Sequence, residues 1–491
     1  MQRLLFSVLV GILSLPCLSS VSTNVPLDHW AYPAMDRLVN YGFVDSDLLS
    51  TRPVSRLEMA RLVVEARKKV TAANEANRFV LATMGRLERE FKFEVNQFNS
   101  RSGLSSPSFL KPIEDPYVRL VHAQDAADLE NRSGDLFAEG SNLRMGFATR
   151  GTVRDRYAFY VRPEFRSPSL DGRDAQIREA YGKVGVGSFE IQVGRDSLWW
   201  GPGYHGGLIM TNNAQPFPMF QFSNPSPILL PGVLRRLGPV RGFFFLTKLE
   251  AARNKPGARL SGIRLNMKPR PNVEVGFSRT IMFGGSGNAD IGMGDYLQIF
   301  WPKNFQGEEN QLAGFDASWR TPLPEFIPAR SLKLYGEYVG EDAAGFHQFR
   351  PILGAVISDL FRTGRTDLRF EYAKTLVGKF PNVFYAHGIF ASGYTYEGRI
   401  IGHHMGAGAR ELYARMTHRM TPDLILGVEV SQETIMSLDP RAVTGQFGLD
   451  LTWFAPGNLL LKAGYRHERY QNDPLMNGDN QIFDLSILFD F

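Results

Sequence analysis

The sequence predicts a β-barrel that crosses a membrane with antiparallel strands, preceded by a small helical module. Apolar and polar residues alternate with period two from residue 117 to the end of the chain. Gly and aromatic residues are abundant, with 48 Gly, 36 Phe and 17 Tyr in 491 residues. The net charge of only +5 and the aromatic content exclude a disordered chain, and no Lys/Arg block is dense enough for nucleic acid binding.

Residues 1–22 predict a secretory signal peptide. Arg3 precedes the apolar stretch Leu4–Leu15, and small residues follow, so we expect cleavage after Ser19 or Ser22. The stretch of about 12 apolar residues is shorter than the roughly 20 that a membrane-spanning helix needs. The single cysteine lies in the peptide that is removed, so we expect no disulfide and no cysteine metal site in the mature chain.

Residues 24–70 predict a helical module. Pro33 suits the first turn of a helix that continues through Met35 and Leu38 at helical spacing. Ser55 and Glu58 form a capping box, in which each side chain satisfies a free amide at the start of the next helix.

This module resembles an S-layer homology (SLH) module. The matching stretches are Val25–Tyr32 and Arg52–Ala60, although Ser-Arg-Leu-Glu stands where the family usually has Thr-Arg-Ala-Glu. The resemblance implies binding to peptidoglycan or an attached cell-wall polymer, with Trp30 and Arg56 facing that ligand. The alternative is that Trp30 belongs to the core and the capping box only starts a helix.

Residues 71–99 predict a further helix. An apolar stripe at helical spacing consists of Val80, Met84, Leu87, Phe91 and Phe98. This stripe predicts either a coiled coil, and so an oligomer through residues 80–98, or a single amphipathic helix packed against the next domain, which leaves a monomer. The polar and Pro-rich residues 100–116 predict a linker.

Residues 117–491 predict the barrel. Alternation such as that of Leu424–Val430 and Phe447–Trp453 fits a sandwich as well as a barrel. Export, the lack of mature cysteines and a strand region of roughly 375 residues favour an outer-membrane barrel of roughly 16–18 strands. The final strand, ending in Phe491, resembles the C-terminal strand of bacterial outer-membrane proteins. The helical module would then lie in the periplasm.

One segment interrupts the alternation. It contains the run Trp199–Tyr204, in which two Trp residues are followed by Gly-Pro-Gly, and several prolines follow after Gln215. Such a run cannot continue a regular strand, because Pro has no N–H group to donate to a neighbouring strand and Gly weakens the interior of a strand. A loop of this length with this aromatic content is typical of a functional segment.

The large domain resembles the Wzi capsule-assembly family. The matching elements are Gly194–Asp196, Trp199–Gly203, Asn212–Ala214, and Gly402–Gly406 ahead of the strand Glu411–Arg415. The resemblance implies an outer-membrane barrel that acts as a lectin for capsular polysaccharide and helps hold the capsule at the cell surface. Members of the family close the periplasmic end with a small helical bundle. The SLH-like module and the long helix stand in that place here, which suggests a wall tether.

The chemistry of these residues fits saccharide binding. Aromatic side chains stack on sugar rings, whereas Asn, Asp and Arg bind hydroxyls and carboxylates. The predicted polysaccharide-binding or lumen-plugging residues are Arg195, Asp196, Trp199, Trp200, Tyr204, Asn212, Asn213, His403 and His404. The alternatives are that the two Trp residues fill the lumen and fix an inward loop, and that Arg195 and Asp196 form a lumen ion pair.

Metal binding and catalysis are not expected. His403 and His404 are adjacent, so on a strand they would point to opposite faces, and a site would need a further ligand such as Glu411. The sequence has no Gly-x-Ser-x-Gly, His-Glu-x-x-His or Gly-Lys-Ser/Thr motif. We therefore predict a protein without enzymatic activity or cofactor. An outer-membrane glycoside hydrolase that uses a carboxylate pair is a third alternative.

The resulting functional prediction is an outer-membrane protein that binds capsular or extracellular polysaccharide and helps assemble or retain it. Its expected partners are that polysaccharide, peptidoglycan and outer-membrane lipid. The alternative is a porin-like channel or a structural tether between outer membrane and peptidoglycan. A porin should have an open lumen, whereas a lectin should have its lumen blocked by the segment around Trp199.

Overall fold

The computed structural model describes residues 20–72, 77–99, 108–170, 172–288, 309–341, 348–376, 384–474 and 478–489. Most of the predicted signal peptide and the terminal Phe491 lie outside the described residues. Val21 and Ser22 are buried, and the Val21 N–H donates to the Asp155 carbonyl at 2.8 Å. These two residues of the predicted signal peptide are therefore packed as part of the fold.

The N-terminal region forms four helices among the described residues. They are α1 (Ala31–Asn40), α2 (Arg56–Ala72), α3 (Arg78–Glu90) and α4 (Lys92–Asn99). At the start of α2, the Glu58 N–H donates to Ser55 Oγ at 3.2 Å, as the capping box predicts, but the Glu58 carboxylate pairs with Arg61. At the start of α3, Asn77 Oδ1 accepts from the N–H groups of Phe79 and Val80.

The predicted apolar stripe lies on two helices rather than one. Phe91 separates α3 from α4, and the stripe residues Val80, Met84, Leu87 and Phe91 are all buried in the core of the N-terminal module. Their apolar face is therefore occupied by the chain's own α1 and α2 and is not free to pair with a second copy. The alternative of one helix packed against the next domain also differs from the structure, because the stripe packs within the N-terminal module.

None of the helices in the described part of the chain combines the length and the apolar character that crossing a membrane would require.

The described residues contain the following strands: β1 (Thr51–Arg52), β2 (Phe109–Ala123), β3 (Ala127–Asp128), β4 (Leu136–Phe137), β5 (Gly140–Val153), β6 (Tyr157–Ser167), β7 (Ala175–Val186), β8 (Phe189–Asp196), β9 (Trp199–Trp200), β10 (Phe217–Ser223), β11 (Ile228–Leu229), β12 (Pro239–Lys248), β13 (Arg259–Arg270), β14 (Val273–Phe283), β15 (Asn310–Pro322), β16 (Ser331–Glu341), β17 (Arg350–Leu360), β18 (Thr366–Lys374), β19 (Thr395–Tyr396), β20 (Arg399–Ile400), β21 (Ala409–Arg419), β22 (Leu424–Ile435), β23 (Ala442–Ala455), β24 (Leu459–Gln471) and β25 (Gly478–Phe489).

The long strands close into one antiparallel barrel of 18 strands within the described part of the chain. β2 pairs with both β5 and β25, which joins the first strand of the wall to the last. β11 only extends the edge of β12, and the pairs β1–β9, β3–β4 and β19–β20 lie outside the wall. The predicted barrel of roughly 16–18 strands is confirmed.

The first barrel strand begins earlier than predicted. β2 starts at Phe109, so the C-terminal part of the expected linker 100–116 belongs to the barrel wall. Pro112 and Pro116 suggested a linker, but the β2–β5 pairing shifts register on both sides of Glu114, and Asp115 has a φ of 47°. These irregularities accommodate the prolines, because a bulge does not need every ladder hydrogen bond.

The two faces of the wall differ as the alternation predicts. Apolar side chains such as Leu449, Leu451 and Trp453 are exposed on the outer surface, together with Trp319 and Tyr338. Charged and amide side chains point inward and are buried, as in a barrel whose outer surface meets lipid.

The N-terminal module fills the end of the barrel that carries the short turns. Trp30 packs edge-on against Phe454, with 5.3 Å between ring centroids. Arg86 pairs with Asp423 at 2.7 Å, and Arg37 donates to the Gly364 carbonyl in another turn. We call residues 20–99 the plug.

Candidate functional site

The plug reaches far into the lumen and meets a loop from the opposite end. β1 of the plug pairs antiparallel with β9, so that Thr51 faces Trp200, and the Gly201 N–H donates to the Ser50 carbonyl at 2.8 Å. The barrel wall holds this junction, because Arg264 Nε donates to Thr51 Oγ1 at 2.6 Å. The alternation places such polar side chains inside the barrel, where the polar backbone and hydroxyls of β1 find partners.

The opposite end is filled by two inward segments, residues 197–216 and 384–408, which we call the cap. The Thr211 N–H donates to the Ile401 carbonyl at 2.9 Å, and the Tyr385 hydroxyl donates to the Leu208 carbonyl at 2.6 Å. Apolar side chains from both segments share one buried cluster with inward residues of the wall.

Glycine allows the tight path of the first cap segment at two positions. Gly201 has a φ of +111°, which favours glycine. A Cβ on Gly206 would lie 2.3 Å from the His403 ring, so only glycine permits that approach between the two segments. These contacts explain the Gly-rich run that the sequence places after the two Trp residues.

Between plug and cap lie two neighbouring cavities of about 580 and 420 Å³, which we call the chamber. They share lining residues, among them Tyr204, Arg178 and Arg415. The larger cavity extends to the short-turn end beside β24 and β25, where Asn458 and Phe489 line it. Each volume is within the range of about 300–1,000 Å³ that is typical of ligand pockets.

Three of the predicted residues line the smaller cavity, namely Trp199, Tyr204 and Asn212. The Arg369 guanidinium lies 4.2 Å from the centroid of the Tyr204 ring, and the Tyr204 N–H donates to Glu371 Oε2 at 2.8 Å. Basic side chains outnumber acidic ones among the residues that line this cavity. The arrangement combines aromatic surface, amide groups and positive charge in one enclosed space.

Trp200 and Asn213 do not line these two cavities and contact other parts of the protein instead. Trp200 is 1% exposed and packs edge-on against Phe243 and Phe245 at 5.8 and 5.5 Å. Asn213 Nδ2 donates to the Ile400 carbonyl, and its Oδ1 accepts from Arg399. The surroundings of Trp200 match the alternative in which it fills the lumen and fixes an inward loop, and Asn213 connects the two cap segments.

Arg195 and Asp196 do not form the suggested ion pair with each other. Asp196 is buried and accepts hydrogen bonds from Asn24 Nδ2 and Gln192 Nε2, both at 2.8 Å. Arg195 is the neighbouring position on β8 and is half-buried, and successive strand residues point to opposite faces. Asp196 therefore anchors the start of the plug rather than binding a cation on its own strand.

His403 and His404 lie in a turn, so the expectation that they point to opposite faces of a strand is wrong. Their ring centroids are 4.5 Å apart, and both rings approach Glu411. His404 Nε2 lies 3.3 Å from Glu411 Oε1, and His403 Nε2 lies 3.7 Å from Glu411 Oε2. His205, which the sequence reasoning missed, lies 3.1 Å from Glu411 Oε1. It sits one residue after Tyr204, within the segment that interrupts the alternation.

The pKa values of the three histidines shift in different directions because their surroundings differ. Burial on its own would lower the pKa of His404, but the nearby Glu411 carboxylate raises it to about 9. The same carboxylate outweighs burial at His205 and raises its pKa. Burial and the neighbouring His404 hold the pKa of His403 well below its ordinary value.

The two residues assigned to wall binding make contacts within the protein. Arg56 is buried, donates to Glu94 at 2.9 Å and pairs with Glu90 at 2.8 Å. Burial would lower the pKa of Arg56, but Glu94 and Glu90 raise it well above its ordinary value. Trp30 stacks on His29 at 5.5 Å and lines both cavities of the chamber.

Comparison with known proteins extends over most of the chain. The family model "Capsule assembly protein Wzi" matches residues 115–485. A Klebsiella pneumoniae protein described as an uncharacterized 55.8 kDa protein in the cps region is 29% identical over 178 residues. That match covers 34% of this chain and 33% of the Klebsiella protein, so it spans about a third of that relative.

Among solved structures, Wzi of Escherichia coli superimposes with a TM-score of 0.74 at 20% identity. The superposition covers 96% of this chain and 100% of that chain, and the structure is described as a carbohydrate-binding β-barrel of the outer membrane, involved in group 1 capsule assembly. Pseudomonas aeruginosa OprD gives a TM-score of 0.46 at 12% identity, covering 78% of this chain and 95% of that one. The family model matches well over half of the sequence, and this chain therefore belongs to the Wzi family of capsule assembly proteins.

Proposed function

We propose that this protein resides in the outer membrane, binds an acidic capsular or extracellular polysaccharide in its chamber, and helps to assemble or retain that polymer at the cell surface. Its family membership and the description of the similar E. coli barrel support saccharide binding. The observation that carries the proposal is the cavity lined by Trp199, Tyr204, Asn212 and an excess of basic side chains.

The chamber has the groups that an acidic sugar needs. Tyr204 is 37% exposed and presents a ring face on which the apolar face of a sugar can stack. Arg369 lies against the same ring; its Nη2 pairs with Asp36 at 2.8 Å, and the N–H groups that remain can donate to a uronate carboxylate. The Asn212 amide can donate to one hydroxyl and accept from another.

The direction of access follows from the fold. The cap fills the end with the long loops, whereas the larger cavity reaches the end with the short turns. Short turns of outer-membrane barrels face the periplasm. We therefore propose that the chamber holds a chain end or a short branch of the polymer that enters beside β24 and β25, and not a polymer threaded through the barrel.

The experiment is calorimetric titration of the folded, full-length protein in detergent with a uronic-acid-containing oligosaccharide and with a neutral one of equal length. We expect binding of the acidic ligand, weakened at least about tenfold by Tyr204→Ala or Arg369→Gln, since each removes a contact to the sugar. Trp319→Ala is the control, because that Trp is exposed on the outer surface. Unchanged binding by both chamber variants would place the saccharide elsewhere, and equal binding of the neutral ligand would refute the preference for acidic polymers.

A wall tether is a second proposal, and the SLH-like sequence of residues 25–60 supports it. Since Arg56 is engaged by Glu90 and Glu94, recognition would depend on other residues of the plug. The test is sedimentation of the full-length protein in detergent with purified sacculi. Absence from the pellet would end the tether proposal and leave polysaccharide binding unaffected. The lack of enzymatic activity also stays a prediction.

A further inference from the structure

Three side chains with metal-ligating atoms converge where the cap meets the barrel wall. His205 comes from the first cap segment, His404 from the second, and Glu411 from β21. The two Nε2 atoms lie 3.1 and 3.3 Å from the same carboxylate oxygen, Glu411 Oε1. One candidate ligand atom from each residue lies within 4.8 Å of the other two. Parts of the chain that are some 200 residues apart in sequence thus meet at one point.

The distances match those between the ligands of a small divalent ion. Zn²⁺ holds imidazole nitrogens and carboxylate oxygens at about 2.0–2.2 Å in tetrahedral geometry, which sets neighbouring ligand atoms about 3.3–3.6 Å apart. The two separations from Glu411, 3.1 and 3.3 Å, are close to these values, and the two histidine nitrogens lie within 4.8 Å of each other.

Two of the three imidazole Nε2 atoms near Glu411 have no hydrogen-bond partner among the described residues. His403 is fully buried, its Nε2 faces the second oxygen of Glu411 at 3.7 Å, and this atom has no hydrogen-bond partner among the described residues. His205 Nε2 also lacks a well-aligned hydrogen bond in spite of its short distance to Glu411. Buried polar nitrogens are rarely left without a partner. This indicates that these atoms have a partner other than a hydrogen-bonding group of the protein.

We infer that His205, His404 and Glu411 bind a divalent transition-metal ion of the Zn²⁺ type, which ties both cap segments to the barrel wall. Two imidazoles and one carboxylate form a donor set that suits Zn²⁺ better than Mg²⁺ or Ca²⁺. Three protein ligands leave a fourth position open. His205 borders the larger cavity, so the ion reaches the site from the chamber.

The test uses full-length protein without a histidine tag, stripped of metal with EDTA and titrated with ZnCl₂ in a calorimeter. We expect one Zn²⁺ per chain and at least about tenfold weaker binding for Glu411→Gln and for His205→Asn, because each removes a ligand. His122→Asn is the control, since His122 is exposed on β2 and hydrogen bonds to Ser141. No saccharide is present, so the outcome is independent of the proposed polysaccharide binding.

A second measurement keeps the inference testable if a variant fails to fold. X-ray absorption of the Zn²⁺-loaded wild-type protein should show two imidazole nitrogens and a carboxylate oxygen around the metal. Absence of saturable Zn²⁺ binding, wild-type affinity in both folded variants, or a metal environment without imidazole would each overturn the inference.

Discussion

The plug and the cap close opposite ends of the same barrel by different kinds of contact. The plug meets the wall through charged and hydroxyl groups, such as Asp36 with Lys333 and Arg369 at 3.1 and 2.8 Å. The cap instead contributes an apolar cluster of its own, centred on Trp200 and joined by inward phenylalanines of β12. The plug thus packs on the wall mainly through ions and hydroxyls, whereas the cap adds a large apolar cluster to polar contacts such as that of Tyr204 with Glu371.

The difference follows from the alternation of the strands. Membrane strands send apolar residues to lipid, so the inner wall is mainly polar, and an element that fills it must present polar groups. The cap departs from this rule only where β12 and neighbouring strands point large apolar side chains inward. Removing a charged side chain should therefore destabilise the contact between plug and wall, whereas the cap should be destabilised when a large apolar side chain is truncated.

The largest effect is expected in the cap. Trp200→Ala should lower the free energy of unfolding by about 3–5 kcal/mol, because it leaves a cavity in a packed cluster. The measurement is urea unfolding of the folded protein in detergent, with Trp319→Ala as the control at an exposed position. A loss below about 1 kcal/mol would mean that the cap is not held by its apolar cluster.

A smaller effect is expected from loss of a charge in the plug. Asp36→Asn should lower the free energy of unfolding at pH 7 by about 2–3 kcal/mol, since it leaves Lys333 and Arg369 without their carboxylate. Asp45→Asn is the matched control, because Asp45 is 39% exposed and pairs at the surface with Lys69 and Arg320. Its effect should lie between about 0 and 1 kcal/mol.

The effect of Asp36 should also depend on pH. Burial would raise the pKa of Asp36, but Lys333 and Arg369 hold it well below its ordinary value of 3.8. A carboxyl group with a lowered folded-state pKa stabilises the fold above its unfolded-state pKa, and this contribution is lost as the pH falls towards the folded-state value. The difference between wild type and Asp36→Asn should therefore shrink below pH 3.8 and stay constant from about pH 5 to 7. A constant difference down to pH 2 would contradict the assigned ion pairs.

The smallest effect is expected where the two cap segments touch. Gly206→Ala should lower the free energy of unfolding by about 1–2 kcal/mol, because the new Cβ would overlap the His403 ring. Gly182→Ala is the control, since a Cβ there meets nothing within 4 Å. Equal stability of the two variants would show that the segments separate easily at this point.

The sequence predicted the strands of the barrel and the helices of the N-terminal module for physical reasons that act locally, but it did not predict that this module fills the lumen. Alternation in β22 and β23 is visible in each strand, and the capping box at Ser55 acts over four residues. The start of β2 was predicted too late because Pro112 and Pro116 suggested a linker. The bulges that accommodate these prolines arise from the pairing with β5, which the local sequence does not show. Local sequence patterns therefore predicted those elements that depend on neighbouring residues, and they failed where pairing with a distant strand decides the structure.

The chamber was only partly predictable. Trp199, Tyr204 and Asn212 stand out as a segment that breaks the alternation, but the same pattern also pointed to Trp200, which is buried in the cap. Arg369 comes from β18 and reaches Tyr204 only through closure of the barrel, and its strand looks like any other in the sequence. His403 and His404 were misinterpreted because a strand was assumed where the chain forms a turn.

Plug and cap together fill both ends of the lumen among the described residues, and we therefore predict a protein that binds a ligand and does not act as a pore. The most direct test is single-channel conductance of the folded, full-length protein in a planar bilayer, with insertion of the same preparation verified by flotation with liposomes. We predict inserted protein without steady conductance. A large and steady conductance from inserted protein would contradict the closed lumen and favour a porin-like channel.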